Sequence, residues 1–352
     1  MNKKILIGMF LLSLISIFFV YHDDFLYKDP IMKIEKIEKL SEEKLENPLG
    51  FKEKHYTYKI TGVITNTKDK GKKKTLEHEE TSSSVVTDKL KKGDKLIISG
   101  SDITLKRDFY IAIMIVLFIN LLYITGLSKG LLSILSLVLN LIIFYIGLSL
   151  YFKGVNLLFL CVIEMILFSC LSLIITSGFN KMTISAIISS IISIIVMLVI
   201  MLIVVYTTKY KGINFNEIAF LTVPLEDVVL PELLLGGVGA IMDVAITISS
   251  SIRELIEKDP SISKENLFKS SKEIGKDIMS TMSNVLFFTY LCAGLPIFAL
   301  ALRNGFSMYN YISTNFTLEL TRFLTGSIGI ILTIPVAARV SVKLMKRGKV
   351  NE

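Results

Sequence analysis

Along most of the chain, long uncharged apolar runs are separated by short charged loops. The runs cover residues 5–20, 109–126, 130–151, 155–178, 182–206, 233–252, 285–302 and 323–342. At about 1.5 Å of rise per residue, about 20 such residues cross a hydrocarbon core of about 30 Å as a helix. The pattern predicts an all-α polytopic membrane helix bundle of about eight transmembrane helices. One stretch departs from it. Residues 21–108 hold 19 of the 39 Lys and Arg and 17 of the 31 Asp and Glu, and there the apolar residues come singly. This predicts a small β-rich extracytoplasmic domain after the first helix. The expected division is an anchor at 1–20, the domain at 21–108, a seven-helix membrane domain at 109–345 and a tail at 346–352. Within the membrane domain, 213–252 reads as a broken segment.

Inside the charged stretch the hydrophobic period changes. Residues 31–46, IMKIEKIEKLSEEKLE, space Ile31, Ile34 and Ile37 by three, with Leu45 following, which predicts a surface helix. After Pro48-Leu49-Gly50 the spacing of Tyr58, Ile60 and Ile64 predicts a strand, with short strands at 84–87 and 96–99. Lys70-Gly71-Lys72 and Lys92-Gly93-Asp94 read as turns. The run 68–74 reads as a solvated hairpin tip rather than an anion-binding loop. His55 and His78 lie near Glu77, Glu79 and Glu80, but their spacing does not suggest three or four converging metal ligands.

Charge sets the expected orientation. The net charge is +8, and no basic-aromatic interleaving points to nucleic acid. With the N-terminus inside, fifteen Lys and Arg fall in short cytoplasmic segments and five in short external loops, once the domain at 21–108 is set aside. Both termini are therefore expected in the cytoplasm. The first apolar run follows Lys3-Lys4 and leaves through Tyr21-His22-Asp23-Asp24 with no small-residue cleavage site, so it reads as an uncleaved anchor. Cys161, Cys170 and Cys292 all lie in apolar segments, so the charged domain has no disulfide framework.

Candidate chemistry concentrates in 224–254, PLEDVVLPELLLGGVGAIMDVAITISSSIRE. On a helix from Leu233, residues Gly236, Gly239, Asp243, Thr247, Ser250 and Glu254 share one small, polar stripe. Leu234, Val238, Ile241 and Ile248 lie opposite. Small residues let another helix approach closely, and Gly326 and Gly329 give the last span a similar face. Asp243 falls near mid-span, where an ionised carboxylate costs at least about 2.5–3.5 kcal/mol unless protein or water covers it. It reads either as a proton or cation site or as a buried acid bonded to a neighbouring helix. Glu164 is a second mid-span acid and a further candidate transport or coupling group, which could couple with Asp243. Asp277 and Asn284, candidates for the same role, continue a polar stripe into the span at 285–302, and Glu319 and Arg322, three apart, form a candidate local ion pair. Asn120 and Asn140 suit helix-to-helix hydrogen bonds. The apolar stretch 218–230, interrupted by Pro224, Glu226 and Asp227, reads as an external loop or a re-entrant segment.

GGVGAIMDVAITISSSIREL, GKDIMSTMSN and ELTRFLTGSIGIILTIP resemble the three signatures of the bacterial YibE/F-like membrane protein family. The resemblance covers roughly residues 105–345, and the anchor followed by an external domain is similar to the YibE branch. It implies a bacterial cytoplasmic membrane, and it sets Asp243, Asp277, Asn284, Glu319 and Arg322 on matching signature positions. It implies a transporter or permease of unknown substrate. Two functions remain open. One is a permease coupled to protons or cations through Asp243, and the other is a non-transporting scaffold, sensor or accessory subunit acting through its external domain. An enzyme is not expected: no His lies in a span, a Gly-x-Gly-Asp arrangement is missing, and there is no Walker-type phosphate loop. No cofactor is expected. The expected partners are the lipid bilayer and a second copy or a paired homologous membrane subunit.

Overall fold

The computed structural model describes residues 3–46, 52–82, 87–100, 102–209, 211, 225–314 and 316–346. It forms two compact units, Met1–Gly130 and Leu131–Glu352. Pro48-Leu49-Gly50, residues 84–86, most of the interrupted stretch 218–230 and the tail beyond 346 lie outside the described residues.

The first unit opens with helix α1 (Lys3–Tyr21) and a 3-10 turn (Asp23–Leu26), followed by five strands. These are β1 (Ile31–Glu46), β2 (Lys52–Ile64), β3 (Lys73–Thr81), β4 (Lys95–Ser99) and β5 (Asp102–Leu105), in an antiparallel sheet of order β3-β2-β1-β4-β5. The surface helix expected at 31–46 is therefore incorrect: the segment is the central strand of the sheet. The register explains the misleading period. Met32, Ile34 and Ile37 oppose Ile64, Gly62 and Ile60, so all three share a face. A bulge between Ile34 and Lys36 inserts one residue, and a step of two becomes a step of three. A second bulge follows between Lys39 and Ser41. Gly62 sits opposite the first bulge, where a Cβ would collide with the Lys33 carbonyl and, at 2.8 Å, with the Met32 side chain. Met32, Ile34, Ile60, Leu96 and Ile98 form the sheet's small core. Thr67–Lys72 is the hairpin tip, with Gly71 at φ +88°, and Gly93 at φ +98° makes the turn before β4. Strand β3, KKTLEHEET, has only Leu76 as a large apolar residue, so the sequence pattern misses it.

A buried charge cluster ties together the segments that enter and leave the sheet. Lys106, its side chain 2% exposed, pairs with Asp23, with Asp24 at 3.1 Å and with Asp108 at 2.9 Å. Lys95 bonds Asp24, and Tyr27 donates to Asp108 at 2.8 Å. Asn66 accepts from the Ile31 amide and donates to the carbonyls of Asp24, Tyr27 and Asp29. Burial pushes the Lys106 amine down, but bonds to Asp23, Asp108 and Asp24 outweigh it and hold the group above its ordinary range. Burial likewise pushes Asp24 up, and Lys95, Thr65 and Lys106 bring it below the ordinary carboxylate range. Burial and the bond to Asp108 push the Tyr27 phenol up to about 12.

The remaining helices are α2 (Asp108–Tyr151), α3 (Leu157–Ser177), α4 (Lys181–Thr208), α5 (Leu225–Lys258), α6 (Lys264–Arg303), α7 (Met308–Thr314) and α8 (Thr317–Lys346). All except α7 are long and apolar enough to cross a membrane. Helix α2 is not continuous: Leu127 takes φ 48° and ψ −125°. The break falls between the two spans expected at 109–126 and 130–151. Large apolar side chains such as Leu117, Phe118, Leu141, Phe159 and Ile203 stand exposed on the helix surfaces, an apolar exterior that suits lipid and not water. Within the second unit, α5 packs against α3, α4 and α8, and α6 packs on α8 and α5.

Candidate functional site

Helix α5 has two faces of opposite character. Leu234, Val238, Ile241, Val244, Ile248 and Ile252 are all buried. Through them α5 meets Met165 of α3, Ile194 and Met197 of α4, and Leu286, Ile330 and Ala337 of α6 and α8. Glycines set the closest approach. Gly237 lies against Gly326 of α8, where an added Cβ would meet the Gly326 Cα at 3.1 Å. At Gly329 an added Cβ would meet Ile241 at 2.6 Å and Met197 at 2.8 Å. Gly326 and Gly329 thus stand in the helix crossing, and Gly237, which the sequence reading passed over, is their counterpart on α5. Gly236 lies beneath the Tyr290 hydroxyl of α6, which leaves no room for a Cβ. Gly239 does not pack within the chain: nothing among the described residues lies within 4 Å of its missing Cβ, because the buried stripe is rotated away from it.

The other walls of this crossing are hydroxyl-rich. Ser185, Ser189 and Ser193 of α4 are fully buried at steps of four. Ser189 and Ser193 donate back to the carbonyls four residues earlier. A hydroxyl chain links three helices: Ser249 of α5 to Ser341 of α8 at 2.9 Å, and Ser341 to Ser185 at 3.1 Å.

Near the start of α8, Arg322 binds Glu319 one turn away and Glu232 of α5 as well. The expected local pair is thus a three-residue cluster that joins two helices, with two carboxylates on one guanidinium. Glu319 Oε2 and Arg322 Nε are buried with no hydrogen-bond partner among the described residues. Nothing in the linear spacing links Glu232 to a position 90 residues later.

Asp243, Asp277 and Asn284 are placed differently. All three are exposed, and so are Ser280, Thr281 and Glu254. No ion pair or hydrogen bond of the Asp243, Asp277 or Asn284 side chains occurs among the described residues. The polar stripe of α5 is therefore its outward face. Helices α5 and α6 are antiparallel neighbours joined by the short turn around Asp259. Asp243 lies about 22 Å along α5 from that turn and Asp277 about 20 Å along α6, at 1.5 Å per residue. The two carboxylates stand at similar distances from that turn, on open faces of adjoining helices.

Glu164 belongs to another place. It is 5% exposed, on α3, and its carboxyl occupies the space that a side chain at Gly147 of α2 would need. It lies in a packed interior, whereas Asp243 is on an open surface. Asn140 donates to Ser172 of α3 at 2.7 Å, and in the first unit Asn120 donates to Ser13 of α1 at 2.8 Å, so both link helices. Cys161, Cys170 and Cys292 are free thiols.

Comparison with known families matches nearly all of the chain. The family model described as YibE/F-like protein matches residues 114–347, and the one described as YibE/F family N-terminal domain matches residues 25–110. No curated protein and no solved structure matches the chain. The first model covers the whole α5–α6–α8 crossing and both open carboxylates, and the second covers the sheet with Lys106 and Asp108 but begins after Asp23 and Asp24. The chain belongs to the YibE/F-like family.

Proposed function

We propose that this protein is a multi-pass permease whose conduction path runs along the polar faces of α5 and α6, with Asp243 and Asp277 as the groups that carry a proton or a monovalent cation. The observation that carries the reading is the placement of these two carboxylates, unpartnered among the described residues and at similar distances from the turn joining their helices, on open faces of membrane-length helices. Hydrocarbon does not tolerate such a face at Asp243, since an ionised carboxylate at the centre of a span costs at least about 2.5–3.5 kcal/mol, while Asp277 stands ahead of the apolar run 285–302, nearer the membrane surface. Water in a cleft removes that cost, and Thr247, Ser250, Thr281 and Asn284 supply hydrogen-bonding groups along the same faces. A second copy or a homologous subunit supplies the opposite wall. Glu164, buried against α2, has no part in the path and serves packing.

The distribution of Lys and Arg supports a chain with both termini on the cytoplasmic side of a bacterial cell membrane and residues 21–108 on the other. The protein acts by binding and conduction, without covalent chemistry. The test is flux through the full-length chain in proteoliposomes, with an internal pH-sensitive dye and imposed proton, Na⁺ or K⁺ gradients. The wild type is expected to pass one of these ions. Asp243→Asn and Asp277→Asn are expected to reduce that flux at least about tenfold while the protein stays folded. Wild-type flux in both variants would overturn the assignment, as would a wild type impermeable to all three ions.

A further inference from the structure

A groove of about 590 Å³ opens between α6 and α8, away from the polar path. Its volume is that of a ligand site. Gly275 and Ala338 leave it room, and at Gly275 an added Cβ would meet Ile334. The groove is polarised along its length. One end carries Lys272 of α6 and Arg339 of α8, with Phe268 one turn beyond Lys272 and Lys276 one turn before it on the way to the other end. The other end carries only Met279 and Ile331. Because the helices are antiparallel, seven residues on α6 and eight on α8 separate the two ends, a distance of about 10–12 Å. Lys276 is held by Glu273 at 2.8 Å, while Lys272 and Arg339 form no ion pair among the described residues. Ile331, 49% exposed, leaves the apolar end open to the surroundings.

We infer that this groove seats one anionic phospholipid, its phosphate between Lys272 and Arg339 and the upper part of an acyl chain along Met279 and Ile331. A cationic end and an apolar end about 10 Å apart on the flank of membrane-length helices match the two halves of such a lipid. Basic pockets between spanning helices bind anionic headgroups for the same reason. A zwitterionic lipid fits the apolar end equally well but lacks the net charge that two unpaired cations answer.

Native mass spectrometry of the full-length chain tests this, with phosphatidylglycerol and phosphatidylcholine of identical acyl chains as probes and glycerol 3-phosphate as the soluble anion. Phosphatidylglycerol is expected to be retained about tenfold better than phosphatidylcholine. Lys272→Gln with Arg339→Gln is expected to abolish that preference. Removing the same charge elsewhere, with Lys153→Gln and Lys211→Gln, is expected to leave it intact. Ile331→Trp, which fills the apolar end at an exposed position, is expected to lower retention of both lipids. The inference is overturned if the double variant keeps the preference, if the charge-matched control loses it equally, or if Ile331→Trp changes nothing. Displacement by glycerol 3-phosphate as effective as by the lipid would overturn it too, by making this a site for soluble phosphate.

Discussion

The Lys106 cluster buries charge inside the first unit, the open faces of α5 and α6 leave charge exposed on membrane-length helices, and the two resolve it in opposite ways. Lys106 is enclosed by Asp23, Asp24 and Asp108, with Lys95, Tyr27 and Asn66 completing the hydrogen bonds. Each charge there is answered from within the chain, and the cluster holds structure. Asp243 and Asp277 are answered by nothing in the chain that the structure describes. A charge left unanswered on a membrane-length helix needs water, an ion or another subunit, which is why the proposed path is placed there. The Arg322 cluster is intermediate in kind: Glu319 and Glu232 are paired, yet buried atoms remain without partners among the described residues.

The sharpest way to break the contrast is to unpair the closed cluster. Lys106→Met leaves three carboxylates around an empty centre and is expected to destabilise the first unit by about 3–5 kcal/mol, read as a fall in melting temperature of the full chain. A shift below about 1 kcal/mol would show that the cluster is solvated and not structural. Next in size is the helix crossing. Gly237→Leu forces α5 away from Gly326 and is expected to cost about 1–3 kcal/mol. Gly239→Leu, on the open face two residues later, is expected to stay within about 0.5 kcal/mol of the wild type in the same melt. Equal losses at both positions would mean that the open face is packed after all. Asp243→Asn is expected to leave the melt equally unmoved, the reverse of Lys106→Met.

The smallest effect is the pH response. Asp24 has a folded value below its unfolded one, so its contribution is complete above the ordinary carboxylate value, about 3.9, and is lost as pH falls through the lower folded value. Lys106 has a folded value above its unfolded one, so its contribution is complete below about 10.4 and is lost only as pH rises through the higher folded value. Between about pH 5 and pH 9 the first unit's melting temperature is expected to stay flat. A steep slope inside that window would contradict the assigned protonation of the cluster.

The sequence pattern located the membrane-length helices well, because an uninterrupted apolar run has few alternatives to a spanning helix. It failed at Ile31–Glu46, where a bulge between Ile34 and Lys36 converted a strand's step of two into a helix-like step of three. It found the polar stripe of α5 and the acids on it, since these are local facts of helical spacing. It did not give the direction in which the stripe points. That depends on whether the Leu234–Ile252 face or the Gly239–Asp243 face meets α4 and α8, and apolar burial decided for the former. Glu232, Gly237 and Lys106 escaped notice for a common reason. Each acts through a residue between 82 and 90 positions away, and no local period marks such a partner.

Water access along the open face of α5 tests the central claim most directly. In a full-length chain lacking Cys161, Cys170 and Cys292, single cysteines at Gly239, Thr247 and Ser250 would meet a membrane-impermeant thiol reagent in intact membranes. Cysteines at Val199 and Ile203, exposed apolar positions of α4, would serve as lipid-facing controls. The account predicts labelling at all three α5 positions and silence at both controls. Silence at Gly239 and Thr247, with the folded chain present in the membrane, would show that no water reaches Asp243 and would contradict it.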